Sequence, residues 1–210
     1  MTGGEFIQYG CGWSAPQGWR NFDASPTLRF ERIPLLGSLY SKNKNRFPTN
    51  VEYGDIVKGL PVNAESVDGI YCSHVLEHLS LSDFRRALLN THKLLKSGGT
   101  FRLVLPDLKV LANKYLEDED ENAAIKFIAA TGMGCEHRAR GVKASVISYL
   151  GNSRHLWMWD FPSIRNELTT AGFVNIRLAI FGDSSIQEFG DVEEASRWAD
   201  ALGIECQRPE

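Results

Sequence analysis

Residues 67–107, VDGIYCSHVLEHLSLSDFRRALLNTHKLLKSGGTFRLVLPD, carry the reading of the fold. Val67, Ile70, Tyr71 and Cys72 form an apolar run, the pattern of a strand buried on both faces. Phe84, Leu88, Leu89, His92 and Leu95 then recur at spacings of three and four, with Arg85, Arg86 and Lys93 on other faces, which predicts an amphipathic helix. Gly98-Gly99 stops that helix, and TFRLVL opens a second buried strand that ends at Pro106-Asp107. Strand, helix and strand with a short return make a right-handed βαβ unit and hence a parallel sheet. Ligands of such sheets lie at the carboxyl ends of the strands, where Ser73, His74, Glu77, His78 and Asp107 fall.

Outward from this unit the same alternation continues. EFIQYG (5–10) predicts a strand running into Gly10-Cys11-Gly12, and WRNFDAS a second strand ending at Asp23. The ten residues between Gly12 and Asp23 include Pro16 and Gly18 and leave no room for a full helix. Residues 26–50 read as irregular, with the apolar IPLLGSLY and the basic Lys42–Arg46 segment. VEYGDI (51–56) reads as a third strand, ending at Asp55. Beyond Asp107, helices are predicted over 108–117 and 122–131, separated by the solvated acidic run Glu117–Glu121. FPSIRNELTTAGF forms a helix closed by Gly172, VNIRLAIF a strand, and ALGIECQRP a last strand. The fold class is therefore α/β: a mostly parallel, seven-stranded-type sheet with helices on both faces and a shortened first βα connection.

At 210 residues the chain reads as one domain, 1–210, with a helical insertion at about 108–154. A net charge of −3 gives no electrostatic case for a nucleic-acid partner. No 18-residue apolar run exists, so no membrane span is expected, and MTGGEFIQYG lacks the basic and apolar regions of a signal peptide. The four cysteines, at 11, 72, 135 and 206, form no C-x-x-C. Cys11 and Cys72 read as reduced packing residues, and a cytoplasmic location is expected. Nothing in the residues fixes an oligomeric state, although IPLLGSLY could serve as an interface or lid.

Four successive strand ends carry a glycine turn, an acid, an acid and a polar pair. Gly10 and Gly12 let a ligand approach the backbone. Asp23 can accept both hydroxyl protons of a ribose. Asp55 follows at the third strand, Ser73 and His74 at the fourth. This is the layout for a nucleoside-containing ligand. A nicotinamide dinucleotide fits less well, because Ala15 stands where G-x-G-x-x-G needs its third glycine and no helix follows to receive a pyrophosphate.

With these motifs in place, the sequence resembles the class I, Rossmann-like S-adenosylmethionine-dependent methyltransferases of the type-11 group. YGCG, GWRNFDASP, YGDIVKGLPV, SVDGIYCSHVLEHL and LKSGGTFRLVLPDL match the family's five successive motifs. GNSRHLWMWD, AGFVNIRLAIFGDS and ALGIECQRP resemble a bacterial subgroup associated with cell-surface polysaccharide genes. The resemblance implies S-adenosylmethionine as cofactor, a Rossmann-like methyltransferase fold, and methyl transfer to a small-molecule or glycan-related acceptor, expected at oxygen. It implies Gly10, Cys11 and Gly12 beside the methionine part, Asp23 on the ribose, Asp55 and the backbone of Ile56 at the adenine, and Ser73 with His74 at the methionine end. One departure is that CGWSAPQGW replaces the family's first helix, so that Trp13 or Trp19 could cover the nucleoside or simply pack. That departure also motivates an alternative, a cofactor-binding partner or sensor protein without catalysis.

For the chemistry, His155 and His74 are the candidate bases, since a hydroxyl acceptor must lose a proton. His155 stands in RHLWMWD, in a region that shapes acceptor pockets. Three readings of His74-x-x-Glu77-His78 compete, with the three residues placed on one face of a helix start. Glu77 and His78 could cap that helix. The three could hold a metal, since E-x-x-E-H resembles the metal motif of some O-methyltransferases with His74 in place of the first Glu. Or they could form an inverted zinc-peptidase motif. No metal is assigned from the sequence. Asp107 and Asp160 read as caps of the helices that follow them, although Asp107 could also orient an acceptor. His137, Arg138, Arg140 and Arg154 form a basic cluster that is either solvated or turned toward an anionic acceptor.

Overall fold

The computed structural model describes residues 4–34, 46–136 and 154–210. His137, Arg138, Arg140 and most of the 33–46 region named above lie outside these residues. Seven strands form one sheet: β1 (Phe6–Tyr9), β2 (Trp19–Asp23), β3 (Val51–Tyr53), β4 (Val67–Ser73), β5 (Leu95–Pro106), β6 (Val174–Ala179) and β7 (Ala201–Gln207). Their order is β3-β2-β1-β4-β5-β7-β6. The first five pair with one another in parallel, and β7 enters antiparallel to both β5 and β6. Strand order reverses between β1 and β4, which pair from Phe6 opposite Gly69 to Tyr9 opposite Cys72. A crevice at such a switch point is where ligands of open α/β sheets bind.

Helices α1 (Pro26–Glu31), α2 (Leu81–Leu94), α3 (Leu108–Glu117), α4 (Ala123–Ala130) and α5 (Phe161–Thr170) complete the frame. Helix α2 buries Phe84, Ala87, Leu88, Thr91 and Leu94, so Leu89 is exposed and Leu95 already belongs to β5. The helix thus ends four residues before Gly98, and the Gly-Gly pair sits in an irregular stretch of β5 where pairing with β4 shifts register. Asp107 and Asp160 cap α3 and α5 as expected; Asp107 Oδ1 accepts from Lys109 N, and Asp160 closes a reciprocal capping box with Ser163. Helix α1, in a stretch read as irregular, was signalled by Ser25-Pro26, an N-cap residue before a proline at N1. Strand β3 ends at Tyr53, and Asp55 stands in the turn that follows.

The alternation of strand side chains splits the core. Ile7, Tyr9, Ile70, Cys72, Leu103 and Leu105 face α2 and α5, packing on Phe84, Leu88, Ile164 and Leu168. Phe6, Tyr71 and Val104 face the other way, with Trp19, onto Phe189 and Val192. That second face is covered by the 3-10 turns at Gln187–Asp191 and Ala195–Trp198. Trp19 is therefore a core residue, whereas Trp13 is half-exposed and stacks on Phe47 at 5.5 Å.

The shortened connection after β1 is a loop held by polar side chains. Gln8 Nε2 donates to Ser14 O at 2.8 Å and to Asn21 Oδ1 at 2.6 Å. Asn21 Nδ2 donates to Pro16 O at 3.2 Å and Trp19 O at 2.9 Å. Both amides are buried. They satisfy carbonyls that a helix would have bonded internally.

Candidate active site

The carboxyl ends of β1 to β4 bring the expected residues to one edge. Gly10 and Gly12 follow β1 with φ of +67° and +56°. Gly10 owes its identity to packing: a Cβ there would lie 2.1 Å from Val75 Cγ2, in the loop after β4. At Gly12 an added Cβ would meet nothing within 4 Å among the described residues, so the open side of the turn is here. Cys11, between them, is buried, and burial, with the charge of Asp23 second, pushes its thiol up to about 12. It is a protonated packing group, not a nucleophile.

Asp23 closes β2 and clips the turn together. Its Oδ2 accepts from Gly12 N at 2.9 Å and its Oδ1 from Ser25 N at 2.7 Å. Each oxygen is thus fixed by one hydrogen bond and retains a lone pair with which to accept another. Asp55 is held likewise, Oδ1 accepting from Val57 N at 3.0 Å and Oδ2 lying 3.0 Å from Lys58 Nζ. Ile56 is buried, and its carbonyl accepts from Asn90 Nδ2 at 2.7 Å. A pre-set acid at β2, a second at the next turn and an open glycine turn fit a nucleoside carrying a short polar chain.

At the end of β4 the arrangement differs from the helical face expected for His74-x-x-Glu77-His78. His74 adopts φ +52°, a left-handed conformation, and only Leu76–His78 form a 3-10 turn. No helix begins at His74, so spacing of three and four does not place the three side chains on one face. Ser73 and His74 are instead held by Arg197, in the turn over the second sheet face. Arg197 Nε donates to Ser73 Oγ at 2.9 Å and Nη2 to Ser73 O at 2.7 Å. His74 Nε2 lies 2.8 Å from Arg197 O and must donate to it. Its Nδ1 is 3.3 Å from Glu77 Oε1. That contact with the Glu77 carboxylate raises the His74 pKa, against the opposing effect of burial. Both ring nitrogens of His74 are therefore engaged within the protein.

His155 joins Glu77 and His78. The segment containing it is stitched to Glu77, whose carbonyl accepts from Leu156 N at 2.7 Å and Trp157 N at 3.1 Å. Further along, Leu108 N donates to Trp159 O at 2.9 Å, and Trp159 stacks on Phe84 at 4.2 Å. His155 Nδ1 lies 2.7 Å from Thr131 O at the end of α4, and Nε2 lies 3.9 Å from Glu77 Oε1. Its ring meets that of His78 edge-on at 4.8 Å. Glu77 is fully buried, and among the described residues its carboxylate is met by His74 Nδ1 at 3.3 Å from Oε1, with no donor on Oε2. Sequence reasoning named every member of this cluster but joined His74, not His155, to Glu77 and His78. It missed Arg197 altogether, whose partners lie more than a hundred residues away in sequence.

Residues 32–103 match the family described as Methyltransferase domain. No curated protein matches the sequence. Among solved structures, a chain of the complex between the Haloferax volcanii Trm112 methyltransferase activator and the putative methyltransferase is similar. It is 15% identical, with a TM-score of 0.50 over 99% of this chain and 84% of that one. A Thermotoga maritima S-adenosylmethionine-dependent methyltransferase, a possible histamine N-methyltransferase, is 16% identical, with a TM-score of 0.51 over 99% and 84%. Haemonchus contortus phosphoethanolamine N-methyltransferase 2, solved with phosphomonomethylethanolamine and S-adenosylhomocysteine, is 13% identical at a TM-score of 0.51. All of this chain is covered there but 49% of that one, so the chain spans about half that enzyme's length. At these identities the likenesses show the fold, a Rossmann-like methyltransferase sheet. The methyltransferase-domain match over residues 32–103, on that fold, supports S-adenosylmethionine-dependent methyl transfer with S-adenosylmethionine as cofactor.

Proposed function

We propose that the chain methylates a hydroxyl of a small-molecule or glycan-related acceptor, in the cytoplasm. Gly10, Cys11 and Gly12 would run along the methionine part of the cofactor, Asp23 would take the ribose hydroxyls, and Asp55 and the backbone of Ile56 the adenine. Ser73 and His74 would border the methionine end. The buried thiols of Cys11, Cys72 and Cys206, outside any disulfide, accord with a reducing compartment. No helix among the described residues is long and apolar enough to cross a membrane.

The observation that carries the choice of oxygen is the Glu77–His78–His155 cluster, just past the end of β4. A hydroxyl must lose its proton as it attacks, and a carboxylate backed by imidazoles suits that demand. When bound, S-adenosylmethionine supplies a sulfonium methyl whose C–S bond breaks as the C–O bond forms, leaving S-adenosylhomocysteine. His155 would carry the chemistry at the cluster, where its side chain is 18% exposed. His74, with both nitrogens engaged, would position Glu77. The 108–154 segment would shape the acceptor pocket, since Thr131 at the end of α4 orients the His155 ring. The glycan character of the acceptor rests on the resemblance of 151–160, 171–184 and 201–209 to methyltransferases of polysaccharide genes.

Calorimetric titration with S-adenosylmethionine and S-adenosylhomocysteine tests the cofactor residues. Micromolar binding that Asp23→Ala weakens at least tenfold is expected. Release of S-adenosylhomocysteine with sugar and nucleotide-sugar hydroxyls, lost in His155→Ala, would then establish the acceptor class. A folded protein that binds neither cofactor form would refute the assignment, and methylation confined to amines would refute the choice of oxygen.

A further inference from the structure

A carboxylate with no exposed surface and no hydrogen bond is costly unless a cation meets it. Glu77 has no exposed surface, and its contact with His74 Nδ1 at 3.3 Å engages Oε1 alone and leaves Oε2 without a donor among the described residues. One ligand atom each from Glu77, His78 and His155 lies within 4.8 Å of the other two. Both imidazoles are already in one tautomer. His78 Nδ1 lies 3.0 Å from Arg154 O, and His155 Nδ1 lies 2.7 Å from Thr131 O. A carbonyl can only accept, so each ring carries its proton on Nδ1 and keeps the Nε2 lone pair. Metal-binding histidines are oriented by this kind of contact. His74 is set the other way, its Nε2–H spent on Arg197 O.

We propose that Glu77, His78 and His155 form a binding site for a divalent zinc ion. Two imidazoles and one carboxylate suit zinc, and three protein ligands leave a fourth position open for water or an acceptor oxygen. Ligand atoms around a tetrahedral zinc are roughly 3.3 Å apart, so the cluster contracts by about 1 Å on binding. The two part-exposed histidines can supply that movement by side-chain rotation. The inference deepens the proposed function and rests on it only for what the ion does. With zinc bound, His155 would serve as ligand in place of the base role given above, and the ion would acidify an acceptor hydroxyl in the open position. Occupancy of the site does not depend on that use.

The test uses full-length, tag-free protein stripped with a chelator. Cobalt(II) titration is read by visible absorption, and zinc affinity by competition with a chromophoric chelator. One equivalent is expected, with the absorption of a four- or five-coordinate centre, weakened at least tenfold by His78→Ala and by His155→Ala. Glu77→Gln keeps the buried shape and should weaken binding as much. His78 is part-exposed, so its variant tests the site without loss of the fold, which thermal melting verifies. Absence of stoichiometric zinc, or a folded His78→Ala that binds zinc as tightly, would overturn the proposal. Titration with S-adenosylmethionine separates the two readings. Cofactor binding without zinc overturns the metal site alone; zinc without cofactor binding upholds the metal site and overturns the assigned cofactor residues.

Discussion

Arg102→Leu should unfold this protein well below its normal temperature. Arg102 lies in the middle of β5 with a fully buried guanidinium. Nε donates to Glu193 Oε1 at 2.6 Å, Nη1 to Glu205 Oε2 at 3.0 Å, and Nη2 to Ile180 O at 2.8 Å. Nη1 also lies 3.0 Å from Asp183, and the guanidinium covers the Trp198 ring at 4.8 Å. Removing it leaves three carboxylates, but not equally stranded. Asp183 and Glu205 keep Arg177 at 2.6 Å each, whereas Glu193, 2% exposed, keeps only the Gly182 N–H. Breaking a buried pair from one side costs about 3–5 kcal/mol. At roughly 2–4 °C per kcal/mol for a chain of this size, the melting temperature should fall by about 6–20 °C. Arg177→Leu is the control: its side chain is 41% exposed and its two acids retain Arg102, so about 1 kcal/mol or less is expected. Adding Glu193→Gln to Arg102→Leu should recover part of the loss, because the stranded charge is gone. Thermal unfolding followed by circular dichroism in one buffer measures all four proteins. A melting temperature for Arg102→Leu within 3 °C of the wild type, or no recovery in the double variant, would refute the reasoning.

Gly10→Ala must displace Val75 or the turn and should cost about 1–3 kcal/mol by denaturant titration, whereas Gly12→Ala, with open space around it, should cost about 1 kcal/mol and weaken cofactor binding more than stability. Gly132→Ala would put a Cβ 2.6 Å from His155 Nδ1, so calorimetry should show weakened zinc binding with cofactor affinity retained. His92 is lowered from its ordinary 6.5, by burial first and then by Arg208, so the folded state disfavours its protonation. Stability it permits at neutral pH is lost as pH falls below 6.5, down to the folded-state value, and urea titrations between pH 7 and 5 should show a shallower decline for His92→Phe.

The parallel strands were legible because burial on both faces writes itself as nearly continuous apolar runs, VDGIYC and TFRLVL, each broken by one charged residue. Arg102 inside the second run was not singled out, and the acids that meet it could not be read locally. Glu193, Glu205 and Asp183 are reached through chain folding and leave no local period. The 3-10 turns over the second face are invisible for the same reason, since their residues follow neither the helical nor the strand spacing. His74-x-x-Glu77-His78 does not form one helical face, because the left-handed His74 breaks the phase at the first member; His74 still reaches Glu77, and His155 joins Glu77 and His78 from far along the chain.

The loop after β1 shows how a shortened element is compensated. A helix there would satisfy its own backbone. Without one, Ser14 O, Ala15 O and Pro16 O need donors, and they receive them from Gln8, Asn50 and Asn21 respectively. Gln8 and Asn21 stand at buried positions of β1 and β2, where apolar residues would ordinarily serve. Asp23 completes the arrangement by accepting from Gly12 N, so the acid that would meet the ribose also fixes the glycine turn. The carboxyl ends of β1 and β2 are thereby coupled. A substitution at Asp23 would remove a ligand contact and loosen the turn at once, so its effect on affinity would exceed that of one lost hydrogen bond.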